Sequence, residues 1–231
     1  MSSDVRTALV FTMLLFFSSV ALLSSPHEEN DLSVIYDLES SSSSKALIIW
    51  SGNVNVPNDF TVSAGDELRI TAGANIIMGP GVRIYVDGKI VAEGTQSSPI
   101  SVEVDPSYIW HDGIQFNSSS RNRGSSLRNM SFSDAQFGIT IYNSNPTIED
   151  ILFDNVDLVG IDMFDSASPI IRRVNFDEGG KDVHGAMSNW RYGIGLSVGA
   201  SSAPFVDDVT FFNQTTRAIN YWGGSGGVIR N

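Results

Sequence analysis

Residues 145–153 read NPTIEDILF, and the same phrase recurs as SPIIRRVNF at 168–176 and as APFVDDVTF at 203–211. A shorter copy, SLRNMSF, occupies residues 126–132. The phenylalanines that end the four copies are 21, 23 and 35 residues apart. Self-similarity at a period in the twenties is typical of a protein built from stacked structural repeats.

The apolar pattern inside each phrase indicates strands rather than helices. In the first copy Ile148, Ile151 and Phe153 are apolar, and the phrase is bounded by the Asn, Pro and Asp residues that end strands. Helical spacing over 11 or more residues is absent from the sequence after the N-terminus. A helical repeat is therefore disfavoured, and so is a leucine-rich repeat, because its leucine-asparagine signature is missing. A second phrase built on Gly-Ile recurs near each copy, at Gly113-Ile114, Gly138-Ile139, Gly160-Ile161 and Gly193-Ile194.

A coil of a little over 20 residues that contains two or three short strands is the unit of a right-handed parallel β-helix. The sequence predicts an all-β solenoid of roughly eight coils over residues 47–231, with coils about 4.8 Å apart. The last gap between phenylalanines holds a 12-residue insertion at roughly 179–190. A polar residue lies two positions after each phenylalanine and predicts a repeated turn with left-handed dihedral angles. These residues are Asp134, Asn155, Glu178 and Asn213.

The earlier part of the chain resembles a known family. The motifs VSAGDELRI at 62–70, GPGVRIYVDG at 79–88 and IVAEGTQSSPI at 90–100 are similar to the opening coils of secreted parallel β-helix proteins. Trp110 and the Gly-Ile pair that follows it match the start of the regular coils. The resemblance covers roughly residues 50–231 and implies the pectin-lyase-like superfamily in its broad sense. It implies a fold and no activity, because one fold hosts many functions.

The N-terminus predicts an exported protein. Residues 7–23 form an apolar run after Arg6, which predicts a hydrophobic helix that serves as a signal peptide or a membrane anchor within residues 1–25. Residues 26–46 read as an acidic, Ser-rich linker. The β-helix is expected outside the cell or on its surface. If the helix is uncleaved, it is the chain's only expected membrane contact.

The other end predicts an incomplete solenoid. Residues 221–231 enter another repeat and stop before its phenylalanine, which is expected of a truncated β-helix. An open final coil exposes unpaired strand edges, so end-to-end contact with another chain is possible there.

The composition of the chain limits the classes of partner and cofactor that it can bind. A net charge of −12 disfavours nucleic acid as a partner, and the lack of cysteine excludes disulfides and thiolate metal sites. No cofactor is predicted; the many carboxylates allow Ca²⁺, although no motif indicates it. Asn117, Asn129 and Asn213 begin N-glycosylation sequons.

The insertion is the candidate binding face, because insertions in a solenoid form loops on one face. Its side chains suit stacking on a sugar and contact with a carboxylate. We predict contacts from Lys181, Asp182, His184, Trp190 and Arg191. Two other tryptophans, Trp110 and Trp222, are interpreted as core or capping residues.

The best carboxylates for hydrolysis are the pairs Asp207-Asp208 and Glu149-Asp150, because glycoside hydrolysis needs two carboxyl groups. Adjacent residues of a strand point to opposite faces, so such a pair lines one cleft only if it lies in a turn. The equivalent positions in other coils are Arg128-Asn129 and Arg172-Arg173, so acid alternates with base along the column, which favours charge pairing between coils on the outer face. No catalytic residue is assigned. Two carboxylates that face a groove with an Arg or Lys between them would favour an enzyme.

Together these features predict an exported structural or binding module with a face for a glycan or another surface polymer. A polysaccharide lyase or glycoside hydrolase of the same fold is the alternative from another functional class. A spacer that binds nothing and projects the rest of a larger surface protein is the third interpretation.

Overall fold

The structure is a computed structural model that describes residues 45–180 and 192–230. The predicted N-terminal helix and nearly all of the linker therefore lie outside the described residues. The described chain forms one 3-10 turn, Ser118–Ser120, and a series of short strands. In chain order these are β1 (Leu47–Trp50), β2 (Asn53–Val56), β3 (Phe60–Val62), β4 (Glu67–Ile70), β5 (Asn75–Met78), β6 (Ile84–Val86), β7 (Lys89–Glu93), β8 (Ile100–Val104), β9 (Ile114–Phe116), β10 (Ser126–Tyr142), β11 (Thr147–Phe164), β12 (Ile170–Asp177), β13 (Ile194–Val198), β14 (Phe205–Phe212), β15 (Arg217–Tyr221) and β16 (Val228–Arg230).

All of these strands pair in parallel and wind into a three-sided β-helix. The first face is β1-β4-β7-β10-β11-β12-β14-β16, with the long strands contributing only their first residues. The second face begins with β2-β5-β8 and continues through the middle of β10 and β11. The third face is β3-β6-β9, then the ends of β10 and β11, then β13 and β15. The first face contains eight strands, so the predicted all-β fold of roughly eight coils is confirmed.

The pairing register shows where the coils differ in length. On the first face the step between coils is 20 to 23 residues except at two places, where Val91 pairs with Ser126 and Ile170 pairs with Phe205. In the later long coil, Phe176 pairs with Phe153 and Ile194 with Val159, so the extra residues lie between Phe176 and Ile194, where the insertion was predicted. In the earlier long coil, between Val91 and Ser126, the extra residues are divided among all three corners, so no single insertion is visible in the sequence.

The phrase-ending phenylalanines form one continuous stack inside the solenoid. Phe132, Phe153, Phe176 and Phe211 lie in successive coils with ring centroids 5.2, 5.0 and 5.1 Å apart. The later two ring pairs are within 8° of parallel. The ring spacing follows the spacing of neighbouring strands, about 4.8 Å, because each phenylalanine occupies the same register position.

Glycines on the third face make room for this stack. A Cβ added to each of three glycines would lie 2.3 to 2.6 Å from a ring of the next coil, far inside van der Waals contact. The two recurring phrases of the sequence therefore supply the two partners of one packing contact, the phenylalanine ring and the glycine that makes room for it. The three pairs are Gly138 with Phe153, Gly160 with Phe176, and Gly195 with Phe211.

This register corrects one member of the Gly-Ile series. Leu196 pairs with Ile161, so Gly195-Leu196 is the equivalent of Gly160-Ile161. The pair Gly193-Ile194 lies two residues earlier, where Ile194 pairs with Val159. A shift of two residues keeps the same side chains facing inward, so the apolar pattern alone cannot detect it.

The predicted turn column is confirmed. Asp134, Asn155, Glu178 and Asn213 all have left-handed backbones, with φ between 50° and 54°. They form the corner between the second and third faces. The Asn155 amide also donates to the Asp134 carboxylate of the preceding coil at 2.8 Å. Short polar side chains tolerate this conformation better than branched ones.

One histidine is part of the core. His111 is fully buried, and its Nδ1 accepts a 3.0 Å hydrogen bond from the backbone amide of Gly113. Burial lowers the pKa of His111 to about 4, although the nearby backbone of Ser133 and Val102 acts in the opposite direction. The side chain is therefore neutral in the folded protein at neutral pH, with its proton on Nε2 because Nδ1 is an acceptor.

Replacing Gly160 by alanine should destabilise the fold, since the added methyl group meets the Phe176 ring inside the stack. We expect the free energy of unfolding in urea to fall by about 1–3 kcal/mol. Gly226→Ala is the control, because no described atom lies within 4 Å of that added Cβ. Equal effects of the two substitutions would contradict the packing described here.

Stability should fall as pH is lowered from 7 to 5, because unfolded His111 binds a proton near pH 6.5 while folded His111 does so only near pH 4. The expected loss is about 2 kcal/mol, from 1.36 kcal/mol per pKa unit. His111→Gln, which keeps a neutral acceptor for the Gly113 amide, should lose about this much of the dependence. Urea unfolding of both proteins at the two pH values tests this, and an unchanged dependence in the variant would contradict it.

Candidate functional site

The corner between the first and second faces turns two consecutive side chains outward in the four coils that contain Asn129, Asp150, Arg173 and Asp208. Val206 and Val209 point into the core, while Asp207 and Asp208 between them do not. The turn is possible because Asp208 has a left-handed backbone with φ 55°. The strand rule that separates adjacent side chains therefore does not apply here. The equivalent left-handed residues in the preceding coils are Asn129, Asp150 and Arg173.

The first outward position of this corner is a ladder of ion pairs. Glu149 accepts hydrogen bonds from Arg128 of the coil before and from Arg172 of the coil after, the latter at 2.9 Å. Only 7% of the Glu149 side chain is exposed. Burial acts to raise the pKa of Glu149, but the hydrogen bonds and charges of the arginines outweigh it and the pKa is lowered. Further along the ladder, Arg230 pairs with Asp207 at 3.1 Å. The predicted charge pairing between coils is confirmed.

The second outward position holds a more exposed cluster. Arg173 donates from Nε and Nη2 to the two carboxylate oxygens of Asp150, at 2.6 and 2.9 Å. This bidentate bond lowers the pKa of Asp150, and with the charges of Glu149 and Asp208 it raises the pKa of Arg173. Asp208 is the next residue in the column, so Arg173 lies between two carboxylates.

This cluster lines a shallow groove on the outside of the second face, which we call the second-face groove. Its volume is about 560 Å³. One end of the groove comes from the loop between β7 and β8, which lies at the same corner one coil before Asn129 and is one of the three corners lengthened in the earlier long coil. Polar side chains alternate with apolar ones along the floor, and Leu152 is 40% exposed. The groove is lined by Thr95, Gln96, Pro99, Asn129, Met130, Ser131, Asp150, Ile151, Leu152, Arg173, Asn175 and Asp208.

The groove has the hydrogen-bonding chemistry to hold a polyhydroxylated ligand. Its two carboxylates accept hydrogen bonds, and the amides of Asn129 and Asn175 can donate or accept. Carboxylates outnumber guanidinium groups by two to one in the lining, so a neutral ligand fits better than an acidic one.

An arginine that lies between two carboxylates in a groove is the arrangement that favours an enzyme. The bond with Arg173 lowers the pKa of Asp150, whereas the general acid of a hydrolase needs a raised pKa, so Asp150 does not fit that role. Burial does raise the pKa of Asp112, but this residue precedes the third face and pairs with Arg83 at 3.0 Å.

The five predicted contact residues, Lys181, Asp182, His184, Trp190 and Arg191, lie outside the described residues and stay a prediction. The structure locates the three sequon asparagines. The Asn117 amide donates to Asp87 at 3.1 Å, and the Asn129 amide donates to the carbonyl of Gly94 at 3.2 Å. Asn213 is exposed at a corner, which makes it the most accessible of the three.

Trp222 is not a core residue as the sequence suggested. It is 36% exposed and lies on the outside of the third face, whereas Trp110 is half-buried beside a corner loop. Within residues 45–180 and 192–230, no three His, Asp or Glu side chains are arranged to hold a metal ion. The same part of the chain contains no helix long and apolar enough to cross a membrane.

Comparison with known proteins agrees with this geometry. The sequence model of the family described as right handed beta helix region matches residues 74–231. The chain belongs to this family. A search of curated proteins found no significant match, and a search of solved structures also found none. The right-handed β-helix is thus shown.

Neutralising Glu149 should cost stability, because Glu149→Gln leaves Arg128, Arg172 and Arg173 without the carboxylate that they share. We expect the free energy of unfolding to fall by about 1–3 kcal/mol, the range for hydrogen bonds to charged, buried groups. Asp207→Asn is the matched control on the same ladder, since its pair with Arg230 is more exposed and should contribute less than about 1 kcal/mol. Urea unfolding at pH 7 measures both, and a larger effect of the control would contradict the proposed role of burial.

Proposed function

We propose that this right-handed β-helix is an exported, cell-surface or secreted module that binds a neutral polysaccharide in the second-face groove. The observation that carries the proposal is the groove itself. It crosses several coils and is lined by amide, hydroxyl and charged groups that the coil register holds in fixed positions. A polymer of similar units fits such a surface, because the solenoid repeats its own groups at the strand spacing.

Charge supports the choice of a neutral ligand. The whole chain carries −12, and the groove contains one guanidinium for two carboxylates. An acidic polysaccharide would approach a surface of its own sign, which slows association and weakens binding. The hydroxyl groups of a neutral sugar are uncharged, so they are not repelled, and they can hydrogen-bond to both partners of the Asp150–Arg173 pair.

Arg173→Ala tests the groove, because it removes a donor and releases Asp150 from its pair. The full chain would be screened on a glycan array with and without Ca²⁺, and each hit measured by calorimetry. We expect the variant to bind a neutral glycan at least about tenfold more weakly, a loss of about 1.4 kcal/mol. Arg230→Ala is the matched control, since Arg230 makes a similar pair with Asp207 outside the groove. Equal affinities of wild type and Arg173→Ala would contradict this site.

A glycoside hydrolase or lyase is the second candidate, favoured by the two carboxylates beside Arg173. Product analysis on every array hit distinguishes it from the module. Binding without shortened or unsaturated sugars is the expected result. Products that disappear in Asp208→Asn would establish an enzyme at the groove. Failure to bind any glycan would favour the spacer, in which the rod only projects other parts of a surface protein.

A further inference from the structure

The outside of the third face carries a column of aromatic residues at the ends of its strands. Tyr142 pairs in register with Phe164, and their rings stack at 4.9 Å with planes 13° apart. The next two positions of the column are Gly199 and Trp222, since Met163 pairs with Val198 and Val198 with Tyr221. The column is far from the second-face groove, at the opposite corner of the first face.

Gly199 lets the indole of Trp222 lie flat on the solenoid. The position of a Cβ on Gly199 would be 2.1 Å from Cε2 of Trp222, 2.3 Å from Cζ2 and 2.5 Å from Nε1. Cε2 is nearer than Nε1 and Cζ2, the two atoms that flank it on the outer edge of the indole, so this position lies over the ring face rather than beyond its edge. One face of the indole therefore covers Gly199, and the exposed 36% of the side chain belongs to the opposite face and the rim.

Further contacts fix the ring in this orientation. Nε1 donates to the hydroxyl of Ser197 at 3.3 Å, and the backbone amide of Trp222 bonds to the carbonyl of Val198 at 3.0 Å. Phe164 meets the indole at 71°, with ring centroids 5.8 Å apart. An exposed aromatic side chain that is held this way loses little conformational entropy when a ligand stacks on it.

The surroundings of the indole are polar and carry both signs of charge, since Arg121 donates to the carbonyl of Ser166 at 3.2 Å beside Asp165. The turn after Phe164 exposes Asp165 and Ser166, and the turn after Gly199 exposes Ser201. Asp165 and Tyr142 also line a shallow groove of about 460 Å³, together with Asp87, Gln115, Asn117, Ser118 and Ser119. The two charged groups of this lining are carboxylates, so an anionic ligand does not fit it.

We propose that Trp222 is a stacking platform for a neutral sugar ring, and that the glycan chain continues along the corner past Asp165 into the groove beside Tyr142. The apolar C–H face of a pyranose packs on the free face of the indole, while its hydroxyls bond to the carboxylate and amide groups of the groove. The proposal takes its ligand class from the function proposed above, but it uses none of the residues of the second-face groove. The protein thus has a second glycan contact at another corner.

The test uses the full chain and a panel of neutral hexasaccharides, namely cellohexaose, xylohexaose, mannohexaose, laminarihexaose and hexa-N-acetylchitohexaose. The indole Nε1–H signal of Trp222, assigned by its loss in Trp222→Ala, is followed by NMR during each titration. We expect at least one sugar to shift this signal, and Trp222→Ala to weaken binding of that sugar at least tenfold. Gly199→Ala should weaken binding as well, because its methyl group lifts the indole from its place.

Two controls separate this site from the other groove. Phe212→Ala removes a side chain that is 63% exposed but lies elsewhere, and it should leave the affinity unchanged. Arg173→Ala should leave the Trp222 shift intact; if it alone abolishes binding, the second-face groove is the site and the platform is refuted. If Trp222→Ala alone does so, the platform stands and the second-face groove fails. No Trp222 shift with any of the sugars would overturn the platform.

Discussion

The fold depends on the contacts between three stacked phenylalanines, Phe153, Phe176 and Phe211, and the glycines across from them in the preceding coils. The rings of Phe153 and Phe176 occupy the space where side chains on Gly138 and Gly160 would otherwise be. Backbone ladders alone do not fix a register, because a parallel strand can slip by two residues and keep its apolar face inward. At Gly138 and Gly160 the phenylalanine–glycine contact excludes such a slip, since a shift by two residues would place the ring against a Cβ.

A fixed register is also what creates the outer surfaces. Residues that are 20 or more positions apart in the chain come to lie one above another at the strand spacing. Arg173 therefore reaches Asp150 of the preceding coil, and Trp222 reaches Ser197. Neither contact is local in sequence. The grooves differ in character because the columns differ, with ion pairs at one corner and aromatic rings at the other.

Much of this architecture is predictable from the sequence. The spacing of the phenylalanines gives the coil length, the polar residues after them give the left-handed corners, and the alternation of acid and base at Glu149 and Arg172 gives the ladder. The lengthened coil before Ser126 was missed, because its extra residues are divided among three corners and leave no single insertion. That missed coil supplies the loop at one end of the second-face groove, so the groove was missed as well.

The position of Trp222 shows a second limit of prediction from the sequence. Tryptophan is usually buried, and the sequence gives no sign that this one lies outside. The signal is Gly199, 23 residues earlier, which leaves a gap for the ring only when the two coils are stacked in register. Similarly, the adjacent pair Asp207-Asp208 faces one side only because Asp208 takes a left-handed backbone, a fact that strand alternation cannot reveal.

The most direct test of the account is a double-mutant cycle between Gly160 and Phe176. Phe176→Leu removes the ring that a methyl group on Gly160 would meet, so it should relieve part of the cost of Gly160→Ala. Urea unfolding of the two single variants and the double variant gives the coupling free energy. The account predicts that the double variant is more stable than the sum of the single effects by at least about 1 kcal/mol. Additive effects would contradict the claim that this contact sets the register of the coils.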